Sequence, residues 1–424
     1  MSSSGSPQGS AEPTSRATSL LDLPDELLAD IFQAVYDSES DNIRHSDQTF
    51  FIRICKRIYN LALPIWMSHV ELRMPSTPGA VTNLVNNVRS SAYAKAKDVV
   101  IFCSLQGLPS SVADVLISFP NVKSLRFDTI ATPDADGMIP LRASNVLTMM
   151  RSLNQLELDP DVSFEDQAFD LRTTSVRVLV LDTIDHTMLR HGRGGGLDTL
   201  IIDSYTLEGC AVPWCTLRTL RLRGGAEGII EGVATILPSL ETAVGSGPVP
   251  LNTFELAIEG HVFPAGFDDV AHRSEQYQVM YTVLQLAKPQ VLRVAHVLYS
   301  PLGPPARVGP FSSVVKLDLE ADISLVDLCR SLDAGLVAFL RLFPSMTDFY
   351  LACSGHPNSL VADYIDMSPA TFSARHPSFA GLVVLLKTTL VLRFEYRSAV
   401  EPLFLRYTRA TADDDFTAEA WQKG

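Results

Sequence analysis

Apolar residues along this chain follow two rhythms. Near the beginning, Leu27, Leu28, Ile31, Phe32 and Val35 recur at i, i+1, i+4, i+5 and i+8, which lays a wide apolar stripe along one side of an α-helix. Pro24 suits the first turn of that helix, and Asp25 and Glu26 place negative charge at the positive end of its dipole. A second helix is predicted from roughly Gln48 to Ala62, with Phe50, Phe51, Ile54, Ile58 and Leu61 on its apolar side and Pro64 beyond its end. Two such helices and a turn bearing Trp66 form a unit of about fifty residues, close to the smallest size that closes its own core. Part of its apolar surface is therefore expected to meet a partner.

From Val122 onward the rhythm changes. An apolar-x-x-apolar-x-apolar signature keeps returning, and its last two apolar positions have the two-residue period of a strand buried on one face. It stands at Val122–Phe127, Leu153–Leu158, Val176–Leu181, Leu197–Ile202, Leu217–Leu222, Leu251–Leu256 and Val314–Leu319, with Met346–Leu351 as a weaker copy. Between Leu153 and Leu217 the copies start about 20 to 23 residues apart, the spacing of leucine-rich repeats. Phe119-Pro120-Asn121-Val122, Leu237-Pro238-Ser239-Leu240 and Phe343-Pro344-Ser345-Met346 each follow a helix-like apolar segment, and the Pro is expected to end the helix and lead into the next strand. A single copy reads as an ordinary buried strand, but units in tandem that each leave an apolar face open must stack on their neighbours. The predicted fold class is α/β, a helical hairpin followed by an irregular leucine-rich-repeat-like solenoid with a parallel sheet. The stretch 260–310 fits the pattern poorly and carries a predicted helix from roughly Ser274 to Ala287, while Leu382 to Phe394 could close the sheet.

Charge and composition narrow the partners. Lys plus Arg total 34 against 48 Asp plus Glu, and the net charge of -14 argues against nucleic acid and against an anionic membrane surface as ligands. The most apolar stretch, near Gly381 to Leu392, is interrupted by Lys387 and is too short to span a bilayer. Residues 1–19, rich in Ser, Gly, Pro and Thr, read as a disordered leader and not as a signal peptide, and 408–424, with Asp413-Asp414-Asp415, as a mobile acidic tail. Six cysteines (Cys55, Cys103, Cys210, Cys215, Cys329 and Cys353) show no paired or zinc-type spacing. They are expected to be buried free thiols in a reducing compartment, cytoplasm or nucleus.

Four elements occur in a telling order: Leu23-Pro24-Asp25-Glu26-Leu27-Leu28, Ile31-Phe32, Cys55-Lys56-Arg57 and Trp66. Over roughly Leu20 to Leu72 the chain thereby resembles the F-box family, and Trp66-Met67-Ser68-His69-Val70-Glu71-Leu72 is similar to fungal members whose F-box runs straight into a recognition domain. The polar connection Asp37 to Asp47 is longer than the family's usual one. The downstream region resembles, in degenerate form, the leucine-rich-repeat domains that follow fungal F-boxes. The repeat family's Asn is replaced by Asp161, Ile184, Tyr205, Gly225 and Asp322, so the turns must satisfy their backbone groups by other means.

The resemblance implies a division into 1–19 leader, 20–72 F-box, 73–407 recognition domain and 408–424 tail. It implies that Leu23, Pro24, Leu27, Leu28, Ile31 and Trp66 contact a Skp-type adaptor and through it a cullin, while Phe50, Phe51, Ile58 and Leu61 hold the hairpin together. The repeat domain would bind a protein target through residues that the pattern leaves unassigned. The expected activity is that of a non-catalytic substrate receptor of an SCF-type ubiquitin ligase, with no cofactor and no metal. The alternative is a repeat scaffold outside any ligase that keeps the hairpin as an N-terminal cap. Exposure of Leu23, Pro24, Leu27 and Ile31 separates the two.

Motifs of bond-making chemistry are set aside on their own terms. Asp159-Pro160-Asp161-Val162-Ser163-Phe164-Glu165 alternates oxygen ligands but has Phe164 where a calcium loop turns on Gly. Gly192-Arg193-Gly194-Gly195-Gly196 lacks the Lys-Ser/Thr of a phosphate loop, and Gly245-Ser246-Gly247 is preceded by Val244 where a nucleophile elbow needs Gly. The nine histidines form no recognisable ligand pair.

Overall fold

A computed structural model describes residues 23–38, 56–66, 68–89, 95–103, 111–129, 139–142, 144–159, 162–164, 171–181, 196–202, 212–224, 226–258, 280–295, 309–321, 337–354, 389, 391–397, 403–411 and 417–420. Two helices come first, α1 (Asp25–Ser38) and α2 (Lys56–Trp66). Strands follow as β1 (His69–Arg73), β2 (Asp98–Cys103), β3 (Ser124–Thr129), β4 (Ile139–Leu141), β5 (Gln155–Leu158), β6 (Val162–Phe164), β7 (Val178–Leu181), β8 (Thr199–Ile202) and β9 (Thr219–Gly224). The series continues with β10 (Thr253–Ile258), β11 (Val291–Ala295), β12 (Lys316–Ala321), β13 (Asp348–Ser354), β14 (Val391–Arg397), β15 (Leu403–Thr408) and β16 (Thr417–Ala420).

All but β4 and β6 join one sheet in strict chain order. From β1 to β14 neighbouring strands pair in parallel, and β15 and β16 add antiparallel at the far edge. The sheet does not close on itself. Val391 to Phe394, in the stretch expected to close the sheet, belong to β14, which is paired on both sides, and the expected mobile tail contributes β16 over Thr417–Ala420, paired to β15. β4 and β6 form a separate parallel pair, and β6 occupies the middle of the Asp159–Glu165 motif.

The register is constant from strand to strand. Val99, Leu125, Leu156, Leu179, Leu200, Leu220, Phe254, Leu292, Leu317, Phe349 and Leu392 succeed one another in a single row, as do Ile101, Phe127, Leu158, Leu181, Ile202, Leu222, Leu256, Val294, Leu319 and Leu351 in the next inward row. Every one of these side chains is buried. They pack against the connecting helices through residues such as Val85, Val115, Leu147, Leu240 and Leu284, forming one continuous apolar core. Within it Tyr281 stacks on Phe311 at 5.5 Å, and Phe343 lies between Phe311 and Phe339 at 5.8 and 5.1 Å. The Trp214 indole is buried against it and donates to Ser239 Oγ at 2.9 Å.

The positions that replace the repeat family's Asn, 161, 184, 205, 225 and 322, lie outside the described residues, and the repeated backbone bonding that is described lies at the start of the strands. The carbonyl just before each strand, from Ser68, Lys97 and Lys123 through to Gln290 and Val315, accepts from two successive N–H groups leading into the next strand, at 2.6–3.1 Å. This repeated two-to-one bond fixes the register and makes the unit length free to vary.

Three expectations about helices change. The second helix runs on through Pro64 to Trp66, giving up one intrahelical bond in its last turn, and its predicted part from 48 to 55 lies outside the described residues. Pro238 sits inside the helix Ala226–Ser246 and does not end it, whereas Pro120 and Pro344 do follow short helical segments and precede β3 and β13. In the stretch 260–310 a helix over 280–287 leads to β11, an ordinary member of the sheet, while 274–279 lies outside the described residues.

Candidate functional site

The helical pair closes a small core of its own. Leu28, Phe32, Ile58 and Ala62 are buried together, with Leu23, Leu61 and Ile65 partly buried against them. Arg57 latches the two helices: its Nε donates to Asp25 Oδ1 at 2.7 Å and its Nη2 to the Leu23 carbonyl at 2.7 Å, joining the start of α2 to the start of α1. Pro24 contributes the carbonyl that accepts from Leu28 N at 3.1 Å and closes the first turn. Ser68 ties the pair to the sheet, since its N–H and Oγ both bond the Ile65 carbonyl while its own carbonyl receives Lys97 and Asp98.

The six residues expected to contact an adaptor therefore divide. Leu27 is 51% exposed and Ile31 37%, and Pro24 is exposed beside them. Leu23 is half-buried and faces both ways. Leu28 is fully buried in the pair's own core, so it holds α1 to α2 and is not part of the outer surface. The side chain of Trp66, like Phe50 and Phe51, lies outside the described residues. Ile58 and Leu61 sit in the hairpin core. The pattern of apolar residues marks the stripe but cannot separate its two edges. Leu27 and Leu28 look equivalent until the partner helix covers one of them.

A second surface arises on the face of the sheet turned away from the core. Its central row reads Arg126, Glu157, Val180, Ile201, Arg221, Glu255, Arg293, Asp318, Tyr350 and Arg393, one residue per strand. Neighbours of opposite charge pair across strands: Arg126 Nη1 with Glu157 at 3.2 Å, Arg221 Nη2 with Glu255 at 2.7 Å, Arg293 with Glu255 at 3.6 Å and with Asp318 at 3.1 Å. Lys316 reaches the same Asp318 oxygen at 3.5 Å. Burial pushes the Asp318 carboxyl up from its ordinary value, against the pull of Lys316 and Arg293. Further along, Arg393 grips both oxygens of Asp348 at 2.8 and 3.0 Å, and the Tyr350 hydroxyl donates to the buried Glu395. Burial and that carboxylate raise the Tyr350 hydroxyl.

Two smaller clusters complete the polar inventory. His69 Nδ1 lies 3.0 Å from Asp98 Oδ2 and its Nε2 3.4 Å from Glu71, at the first strand. Asp98 raises the imidazole above its usual value, although burial opposes this. Asp128 and Asp159 sit side by side on β3 and just after β5, with Thr129 Oγ1 donating to Asp159 at 2.9 Å, and burial raises Asp128. Among the described residues no group of three or more His, Cys, Asp or Glu is placed to hold a metal ion, and no helix is long and apolar enough to cross a membrane. Cys103 is buried and its thiol is pushed up to about 12 by burial, whereas Cys215, expected to be buried, is exposed.

The geometry defines a mixed α/β protein with a solenoid-like parallel sheet and a helical pair in front of it. No protein-family model and no curated protein matches the chain.

Proposed function

We propose that this protein is the substrate receptor of an SCF-type cullin-RING ubiquitin ligase, with the helical pair as an F-box docking on a Skp-type adaptor and the sheet domain holding a protein target. The observation that carries the reading is the outward face of α1. The pair already has its own core in Leu28, Phe32, Ile58 and Ala62, yet Pro24, Leu27 and Ile31 remain exposed beside it. A cap for the repeats would turn those side chains against β1 and β2, so their exposure favours an external partner over the scaffold alternative. The Leu-Pro-x-Glu-Leu-Leu and Cys-Lys-Arg elements, with Arg57 latching the helix starts, add to it. The receptor acts by proximity: it raises the local concentration of target lysines at the ligase and makes no bond itself.

The test is a binding titration of the purified chain with a fungal Skp-type adaptor, in parallel with Leu27→Asp. The expected result is submicromolar binding that the substitution abolishes while the circular dichroism stays unchanged. A well-folded wild-type chain that does not bind would overturn the reading and restore the scaffold alternative.

A further inference from the structure

We infer that the outer row of the sheet, centred on Arg221 and Arg293 with Lys316 beside it on β12 and extending to Arg126, docks an extended acidic peptide segment of a protein partner. This deepens the reading that the sheet domain holds a target. Along the row four arginines stand against three acids, and most of the cations also lie further out. Arg293 is 42% exposed above Glu255 at 12% and Asp318 at 16%, and Arg126 is 45% exposed above Glu157 at 28%. Arg221 and Lys316 are likewise more exposed than the acids they pair with, and only Arg393 and Asp348 reverse the order. An approaching molecule meets guanidinium and ammonium groups first, on a chain whose net charge of -14 repels anions elsewhere.

The cations are also held in place before anything binds. Arg293 is drawn from both sides, by Glu255 and Asp318, which fixes its planar group in the row. Its five N–H donors exceed what two carboxylates engage through Nε and Nη1, so the fork can take a further carboxylate without rearranging. Spacing then defines the ligand. Arg221 and Arg293 lie two strands apart, about 10 Å at the usual strand separation, and a peptide in the extended polyproline II conformation covers about that in three residues while its three-residue turn keeps i and i+3 on one side. The recognised segment carries acidic side chains at i and i+3.

A fluorescein-labelled (Glu-Gly-Ser)4 peptide tests this against the full chain by anisotropy at low salt, with (Lys-Gly-Ser)4 as the opposite-charge probe. The expected result is binding of the Glu peptide alone. Arg293→Glu should weaken it at least tenfold and Arg293→Gln several-fold, while Arg218→Glu, at an exposed arginine outside the row, leaves it unchanged. Equal binding of both peptides, no binding of either, or indifference to both Arg293 variants overturns the proposal, as does equally strong competition by a single-stranded RNA dodecamer. Adaptor titration of the same samples keeps the two readings apart. Peptide binding without adaptor binding removes the ligase reading and leaves this surface standing, and the converse removes only the surface.

Discussion

Replacing Glu255 with Gln probes whether the charges of the outer row cooperate or merely coexist. The carboxylate is 12% exposed, and its Oε2 lies 2.7 Å from Arg221 and 3.6 Å from Arg293. That oxygen has no well-directed hydrogen bond although both guanidinium groups are close, so the attraction is chiefly Coulombic and disappears when the charge does. At an effective dielectric of 20 each opposite pair about 4 Å apart gains roughly 4 kcal/mol, and most of this is cancelled by the cost of taking the charges out of water. Loss of the acid also leaves two partly covered cations facing each other two strands apart. A net destabilisation of about 1–3 kcal/mol follows. Arg293→Met removes only one of two cations from a half-exposed position, and solvent screening holds its cost below about 1 kcal/mol. Urea unfolding of both variants, at low salt and in 1 M salt, measures the difference. The expected order is a larger midpoint loss for Glu255→Gln, only partly relieved by salt. A Glu255→Gln protein as stable as wild type, or one more sensitive to salt than Arg293→Met, would refute the reasoning.

Three further outcomes are expected. Leu28→Ala should cost the helical pair about 2–5 kcal/mol and Leu27→Ala less than about 0.5, a contrast between adjacent leucines that hydrogen exchange of the amides in 56–66 resolves. The His69–Asp98 contact should be most stabilising between the lowered carboxylate pKa and the raised imidazole pKa. Its His69 share is full below the ordinary imidazole value and lost as pH rises through the raised one, and its Asp98 share is lost as pH falls through the lowered one. His69→Gln should therefore flatten the alkaline limb of the stability profile. Alkylation of the native protein followed by peptide mass mapping should find Cys215 labelled and Cys103 labelled only after unfolding, because burial both hides the Cys103 thiol and keeps it protonated.

What was legible in the sequence follows from which force sets each feature. All three apolar positions in each of the eight quoted copies are buried, because a strand with one covered face has no other way to arrange them. β11 escaped notice because Pro289 stands where the signature wants its leading apolar residue, although Leu292 and Val294 point inward like all the others. β2 does obey the signature, with Ala96 buried in first place, but an alanine there carries little weight. Pro238 does not end its helix because Ile236, Leu240, Ala243 and Val244 keep helical spacing past it and pack on the core, which outweighs one lost bond. The outer row could be spelled out residue by residue from the middle position of each copy, yet its pairing depends on a register that the chain order and the shared carbonyls set.

That register also explains why the row alternates in sign. Parallel strands in constant register put equivalent side chains about 4.8 Å apart, so a run of like charge would repel along its whole length. The sequence answers with Arg221, Glu255, Arg293 and Asp318 in alternation, and with the apolar Val180 and Ile201 between its two charged blocks. Arg393 is in register with Arg406 on β15, and on the β13 side it has an acidic partner. Arg393 is bound to Asp348 and lies 5.7 Å over the Tyr350 ring, while Arg406 is in register with Glu419 on β16. Side-chain length then converts alternation into depth. Asp and Glu stay close to the sheet, and the longer arginine stems carry their charge over them and outward. A solenoid-like sheet that alternates the charges of its outer row thus sets Arg126, Arg221 and Arg293 further out than the acids they pair with.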